Sequence, residues 1–278
     1  MELFFNTNAP GFDQACATNL AKFRFTEAEP EIHDFLGFLG CKAPIKWTYD
    51  LEWPLDLILN EADILAYSEI FSYLAGVRYI HVNLHRLSEI TLKSPVWWAP
   101  FWRSKAMMGH FLDSFWSYIQ VDILDPSYLA LLSNLENPEL AYDFDSIQGL
   151  HFNYIEHIRL ATLMKSRLAT FIYAILKTID RFTVLSYVAL ENIESPPTNS
   201  ELAYLGKVHA EFLVQMKFLF RSLSSLNSLP GRIAFKEKFV IFDGQETPEQ
   251  TKRWDRACKT LEQLLLRLDY NRWFSLYL

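Results

Sequence analysis

The sequence is poor in turn formers. It holds 9 glycines and 12 prolines among 278 residues, well below the roughly 12 % these two residues make up in an average chain. A sandwich or propeller with a reversal every ten residues is therefore disfavoured. Phosphate cradles are missing as well: neither a GxGxxG nor a GxxxxGK[ST] run occurs, which excludes the common nucleotide-binding loops. Basic residues are outnumbered, 26 Lys and Arg against 33 Asp and Glu, for a net charge of −7. General binding to nucleic acid or to an anionic membrane would need a basic stripe that this balance does not provide. Cysteine is scarce: Cys16, Cys41 and Cys258 lie far apart, form no CxxC pair and are odd in number. That usage fits isolated thiols in a reducing compartment. Long uncharged apolar runs are also absent. The most apolar stretch, Phe171 to Leu190, is broken by Lys177, Asp180 and Arg181, too costly for a bilayer centre. The N-terminus has no basic region followed by an apolar run. The expectation is a soluble intracellular protein.

What the chain does have is apolar and aromatic bulk: half of it is hydrophobic, with 22 Phe, 13 Tyr and 8 Trp. This suffices for one large core or two adjoining ones. Ala15 to Phe25 and Glu31 to Leu39 read as short helices, with Gly40 to Pro44 as a connector. A period of two follows, Trp47, Tyr49, Leu51 and Trp53 alternating with Lys46, Thr48, Asp50 and Glu52, which predicts an extended segment ending at Pro54. Asn60 with Asp63 reads as a helix start. The stripe Ile64, Tyr67, Phe71, Leu74, Val77, His81, Leu84 predicts the helix after it.

Pro95 to Pro100 reads as a loop, and Arg103 to about Val121 as helix. Asp125-Pro126-Ser127 reads as a turn into a shorter helix that stops at Asn137-Pro138. Helical pattern then runs from Asp145 to about Asn192, with a joint near Lys165. Pro196, Pro197, Asn199 and Ser200 read as a loop before the helix of Leu202, Leu205, His209, Phe212, Met216, Phe220 and Leu223. Ile233 to Phe242 has strand-like composition. Thr247-Pro248-Glu249-Gln250 has the capping pattern of a last helix, whose apolar stripe is Trp254, Cys258, Leu261, Leu264, Leu265 and Leu268. The predicted fold class is all-α: a bundle of about seven or eight helices with one short extended segment near residues 46–53.

Candidate chemistry is thin. His81 and His85 stand four apart on one helix face, an acceptable metal-ligand spacing, but no glutamate lies between them; a packed histidine pair is the favoured reading. His151 and His157 point to different sides of a helix. Asp143 and Asp145 suit helix capping better than a carboxylate pair. No serine sits in GxSxG. The residues predict no enzyme, no cofactor and no metal. Trp97, Trp98, Phe101 and Trp102 form a dense aromatic cluster, read as buried in preference to a contact patch.

Several segments, taken in order, resemble the C-terminal half of the gamma-tubulin complex proteins, their second GRIP domain. They are WTYDLEWPLDLIL from Trp47 to Leu59; Tyr67 with Phe71-Ser72-Tyr73-Leu74 and Arg78; and Arg103-x-x-x-Met107 leading to Tyr118-Ile119. Then come Asp143-Phe144-Asp145 before His151-x-x-Tyr154-Ile155, and Leu266-Arg267-Leu268-Asp269-Tyr270-Asn271. The resemblance covers about residues 46–278 as a GRIP-like domain, with 1–45 as lead-in helices and connector.

It implies a scaffold, not a catalyst: a domain that holds gamma-tubulin for microtubule nucleation in the cytoplasm, at microtubule-organising centres and spindle poles. The implied partners are gamma-tubulin and other gamma-tubulin complex proteins, with no nucleic acid and no membrane insertion. Lateral contacts with the other complex proteins belong to an N-terminal GRIP domain that this sequence, long enough for one GRIP domain, does not include. The candidate gamma-tubulin contacts are Arg78, Arg103, Arg267, Asp269, Tyr270 and Asn271. The family-motif residues Trp53, Pro54, Leu55, Tyr67, His151 and Tyr154 are expected to be structural. The alternative is a helical adaptor or a metal-binding protein using the His81/His85 face.

Overall fold

The computed structural model describes residues 23–27, 45–51, 53–90, 96–140, 143–164, 166–190, 196–240, 248–270 and 272. The chain divides into two compact units, Met1–Tyr73 and Leu74–Leu278.

In the first unit, β1 (Phe23–Glu27) pairs antiparallel with β2 (Ile45–Tyr49), Phe25 opposite Trp47 and Phe23 opposite Tyr49. The extended segment is thus present but stops at Tyr49, four residues earlier than its alternation suggested. The helix expected over Ala15 to Phe25 is corrected at its end. Phe23-Arg24-Phe25-Thr26-Glu27 alternates apolar and polar, a period that suits a strand. The helix expected over Glu31 to Leu39 lies outside the described residues.

Helix α1 (Glu61–Ile90) runs through the boundary between the units. Asn60 and Asp63 cap it reciprocally, each backbone N–H donating to the other's side chain at 3.0 Å. Its buried face is Ala66, Ile70, Tyr73, Val77, Ile80, Leu84 and Leu87. In its first half this lies beside the predicted stripe: Ile64, Tyr67, Phe71 and Leu74 are only half-buried. The helix is apolar on more than one side there, and spacing alone could not choose between them.

The second unit is built on α2 (Ala99–Ser117), which buries Phe101, Met108, Phe111, Leu112 and Phe115. It starts earlier than Arg103 because Pro100 occupies the first turn, where a missing N–H costs nothing. Trp98 and Phe101 are buried and meet edge to face at 5.8 Å, and Phe101 stacks on Phe182 at 5.2 Å. Trp97 stays about half exposed. A π-helical stretch, Tyr118–Leu124, carries α2 directly into α3 (Asp125–Glu136). The turn expected at Asp125-Pro126-Ser127 is therefore not formed. The Asp125 N–H reaches back five residues to the Gln120 carbonyl, and this wider turn makes room for the Pro126 ring.

Three further helices continue the unit: α4 (Phe144–Ala161), capped by Asp143, α5 (Ala169–Leu190) and α6 (Asn199–Ser224). The α4–α5 joint falls where expected and contains Leu163 at φ 64°, a left-handed residue costing about 1–2 kcal/mol. Its side chain is buried, which fixes it there. Thr198 and Glu201 form a complete capping box, so Asn199 and Ser200 belong to the helix and not to the loop.

α7 (Leu229–Phe239) replaces the strand-like reading of Ile233 to Phe242. Ser228 caps it and Pro230 sits in its first turn, a start signal stronger than the β-like composition. Gly231 is required there, because a Cβ would stand 1.8 Å from the Ser225 carbonyl oxygen. α8 (Pro248–Leu268) buries Trp254, Cys258, Leu261, Leu264, Leu265 and Leu268 as the stripe predicts. Its proposed cap, Thr247, lies outside the described residues. Burial pushes the Cys258 thiol up to about 12, which makes it an inert core group.

The main helix contacts are α5 on α6, α4 on α8, α3 on α4 and α2 on α8. Among the described residues no helix is long and apolar enough to cross a membrane. The class is all-α as predicted, with eight α-helices and one two-stranded sheet among the described residues.

Replacing Phe101 by Ala should remove the contact shared by the start of α2 and α5. The expected loss is about 3–5 kcal/mol, measured by urea unfolding; a loss under 1 kcal/mol would show that this contact does not hold the two helices.

Candidate functional site

Three features of the second unit offer chemistry or surface. The first joins α1 to α2. His81 Nε2 and His85 Nε2 both meet Asp113 Oδ1, at 2.6 and 2.9 Å. Arg78 Nη1 stands 3.0 Å from His81 Nδ1, and its guanidinium lies 5.3 Å over the Trp116 ring. Arginine can only donate, so Nδ1 must accept and the ring proton of His81 sits on Nε2, donated to Asp113. Burial lowers the His81 pKa, against the opposing pull of Asp113. Burial also works to raise the Asp113 pKa, but hydrogen bonds from the two imidazoles outweigh it and hold the carboxyl below its usual value.

The three ligand atoms lie within 4.8 Å of one another, close enough to consider a metal. A metal-bound imidazole, however, normally donates through its other ring nitrogen. Here that nitrogen faces a donor fixed over Trp116. The arrangement fits a hydrogen-bonded tie between two helices better than a metal centre.

The second feature is a cleft of about 650 Å³ between α3, α4 and α8. Pro126, Ala130, Leu131 and Leu150 give it apolar wall; Asn134, Asn153, Tyr154 and His157 give it polar wall; Lys252, Arg253 and Arg256 line its α8 side. His157 is only 7 % exposed and its Nδ1 has no hydrogen-bond partner. Burial, then the Arg256 charge, lowers its pKa to about 4. Asp122 also lines the cleft, held by Arg267.

The third feature is apolar surface. α3 has no buried residue, and Tyr128, Leu129, Leu132 and Leu135 are all exposed on it, Leu129 to 64 %. Leu140, after α3, and Phe144, at the start of α4, are exposed as well. The sequence signal for this was available: α3 carries only two charges in twelve residues, Asp125 and Glu136.

Comparison with known proteins gives these features a context. Residues 39–274 match the family described as "Gamma tubulin complex component C-terminal". The chain belongs to this family. Among curated relatives, the mouse gamma-tubulin complex component 4 is 24 % identical over 238 residues, covering 84 % of this chain and 31 % of the relative. A gamma-tubulin complex component 4 homolog from Medicago truncatula is 23 % identical over 258 residues, 84 % of this chain and 33 % of the relative. Spindle pole body component 98 from Dictyostelium discoideum is 26 % identical over 122 residues, 40 % of this chain and 14 % of the relative. The chain thus spans about a third of the length of the gamma-tubulin complex component 4 relatives.

Within this gamma-tubulin complex component domain, the residues singled out from the sequence scatter. Arg78 serves the α1–α2 tie. Arg103 is exposed on α2, beside a smaller cleft of about 550 Å³ that it shares with His209 of α6. Burial and the Arg103 charge lower the His209 pKa. Arg267 is not the free contact expected. It donates from Nε and Nη2 to the two carboxylate oxygens of Asp122 and from Nη1 to Ser117 Oγ at 3.0 Å, fastening α8 to the end of α2.

Tyr270 is 83 % exposed. Asp269 is half-buried just past α8, and Asn271 lies outside the described residues. Arg103 and Ser117, the α2 residue that Arg267 grips, are fourteen residues apart, about 21 Å along a helix. The candidates therefore do not form one patch.

The family-motif residues divide too. His151 is buried, Tyr154 lines the large cleft and Tyr67 is half-buried. Trp53, Pro54 and Leu55 are exposed, Trp53 to 78 %, which corrects the expectation that this triplet packs. Trp53 lies past the end of β2, where the strand alternation no longer sets its direction.

Arg267→Ala should cost about 1–3 kcal/mol, since it leaves the Asp122 carboxylate without its charged donor. Arg267→Lys should recover only part, because an ammonium cannot grip both oxygens. Thermal denaturation checks this; an unchanged melting temperature would mean the tie contributes nothing.

The buried His157 sets a pH dependence. Its folded pKa is depressed below the ordinary 6.5, so the unfolded chain binds the proton more readily. Stability should fall as pH drops from about 6.5 to about 4, by about 3 kcal/mol in total. Arg256, Lys252, Arg253, Asp122 and Tyr154 share its cleft and set the local field. His157→Gln should flatten that slope in melting curves recorded between pH 7 and 4; an unchanged slope would assign it to other groups.

Proposed function

We propose that this chain is a non-catalytic scaffold that binds gamma-tubulin and contributes to microtubule nucleation at cytoskeletal organising centres, including spindle poles. Family membership over 39–274 and relatives named as gamma-tubulin complex components support this reading. A relative named as a spindle pole body component supports the location.

The observation that carries it furthest is the apolar face of α3, with Tyr128, Leu129, Leu132 and Leu135 exposed on a helix fixed to the core by α4. Aromatic and aliphatic side chains exposed together mark protein contact surfaces. A rigid platform presenting such a face lowers the entropic cost of holding a partner in register. Neither the His81–Asp113 tie nor the His157 cleft pairs a nucleophile with a base, so a scaffold needs fewer assumptions than an enzyme. Lateral contact with other gamma-tubulin complex proteins is assigned, in the same proposal, to the part of the relatives that this chain does not match. Arg103 and Tyr270 remain exposed candidates for secondary contacts.

Size-exclusion chromatography with purified gamma-tubulin tests the proposal. Co-elution at micromolar concentration is expected, weakened at least tenfold by Leu129→Asp with Leu132→Asp at unchanged melting temperature. A folded chain that never co-elutes would overturn the scaffold reading; undiminished binding by the double variant would remove α3 from the interface.

A further inference from the structure

We propose that the cleft between α3, α4 and the first half of α8 binds an acidic peptide segment. Its carboxylates are held by Lys252 and Arg256, and an apolar side chain lies against Leu131 and Leu150. The cleft, about 650 Å³, is in the size range of ligand sites.

Its charge runs against that of the chain. In a protein of net charge −7, three cations line the α8 side of this cleft, and Asp122, the one carboxylate among its described lining residues, is turned to Arg267. Arg253 rests over the Phe152 ring at 5.2 Å. Lys252 and Arg256 are exposed, and no described carboxylate pairs with either. They stand four apart on one helix face, so their charges form a line and do not converge on a point. A line of cations suits successive carboxylates of a chain better than a single compact anion, and basic clusters are a recurring means of reading acidic motifs.

Two further observations favour a peptide. Asn134 on α3 and Asn153 on α4 line it from different helices, and an Asn amide can both donate to and accept from a peptide backbone. His157, buried on the same wall, has a ring nitrogen without a partner, and an orphaned buried polar atom costs stability until something satisfies it. The floor of Pro126, Ala130, Leu131 and Leu150 gives a free phosphate nothing to contact, but accommodates an aliphatic or aromatic side chain.

The proposal is independent of gamma-tubulin, and so is its test. The probe is a fluorescently labelled random copolymer of glutamate and tyrosine, titrated with the full chain and followed by anisotropy. Saturable binding is expected, weakened at least tenfold by Lys252→Glu or Arg256→Glu with unchanged melting temperature, and unaffected by Arg103→Glu on the distant face of α2. Polyglutamate without tyrosine should bind at least fivefold more weakly. The proposal is overturned if the copolymer does not bind, or if the α8 variants bind it like the unaltered chain. Equal loss from Arg103→Glu would mean diffuse attraction and no site. Polyglutamate binding as tightly as the copolymer would remove the apolar subsite. Displacement of the copolymer by inorganic phosphate at low millimolar concentration would make this a small-anion site instead.

Discussion

The second unit depends on one constraint: α2 carries a wide apolar face that must be covered along its whole length. Phe101, Met108, Phe111, Leu112 and Phe115 are all buried on it, and Tyr118, Ile119 and Ile123 continue the burial through the π-helical stretch. Such a face is stable only when other helices pack on it. Phe182 of α5 stacks on Phe101, and Phe212 of α6 meets Phe111 edge to face at 6.3 Å. α8 closes over its far end through the Arg267 tie. The Tyr118 hydroxyl, fully buried, donates to the Ala161 carbonyl at 2.8 Å and fixes the end of α4 against the same axis. The helices that pack on α2 are those that can bring an apolar face to it.

Much of this was legible in the sequence because burial and period coincide. α8 is the clearest case: its six stripe residues are all buried, since its other faces carry charge and leave one choice. The start of α1 was legible from Asn60 and Asp63 because capping is local chemistry. The stripe of α1 was less so, because a helix with two apolar faces does not reveal from spacing which one is covered. α7 was misread since β-like residues outweighed the Ser228 and Pro230 start signal. At Asp125-Pro126-Ser127 the turn residues were real, but the wider preceding turn absorbed the proline. Residues Phe23 to Glu27 had the right alternation, yet a strand exists only with its partner, and β2 lies eighteen residues further on.

The candidate site was less legible than the fold. Arg267 stood out as the basic residue of the last family-like motif, and nothing local disclosed that Asp122, 145 residues earlier, would engage it. His81 and His85 were visible as a pair. Asp113 and Arg78 decide its character, and only the packing of α1 on α2 supplies the first of these. The cleft of His157 forms where α8 meets α3 and α4, and α8 is distant from both in sequence, so no window along the chain contains it. The apolar surface of α3 was present in the composition of that helix, but sequence does not say whether apolar residues are covered by the same chain or left for another.

The π-helical stretch has a consequence for that surface. Relative to a regular α-helix it amounts to one extra residue, and one residue turns everything beyond it by about 100°. The direction in which Leu129 and Leu132 face is therefore set by counting, through the number of residues between Tyr118 and Leu124, before any contact made by α3 itself. Removing one residue from this stretch would preserve every side chain of α3 and still rotate the apolar patch away from its present heading. The stretch works as the phase setting of the helix that follows it, and its length matters to whatever meets that face as much as the identity of the residues that form it.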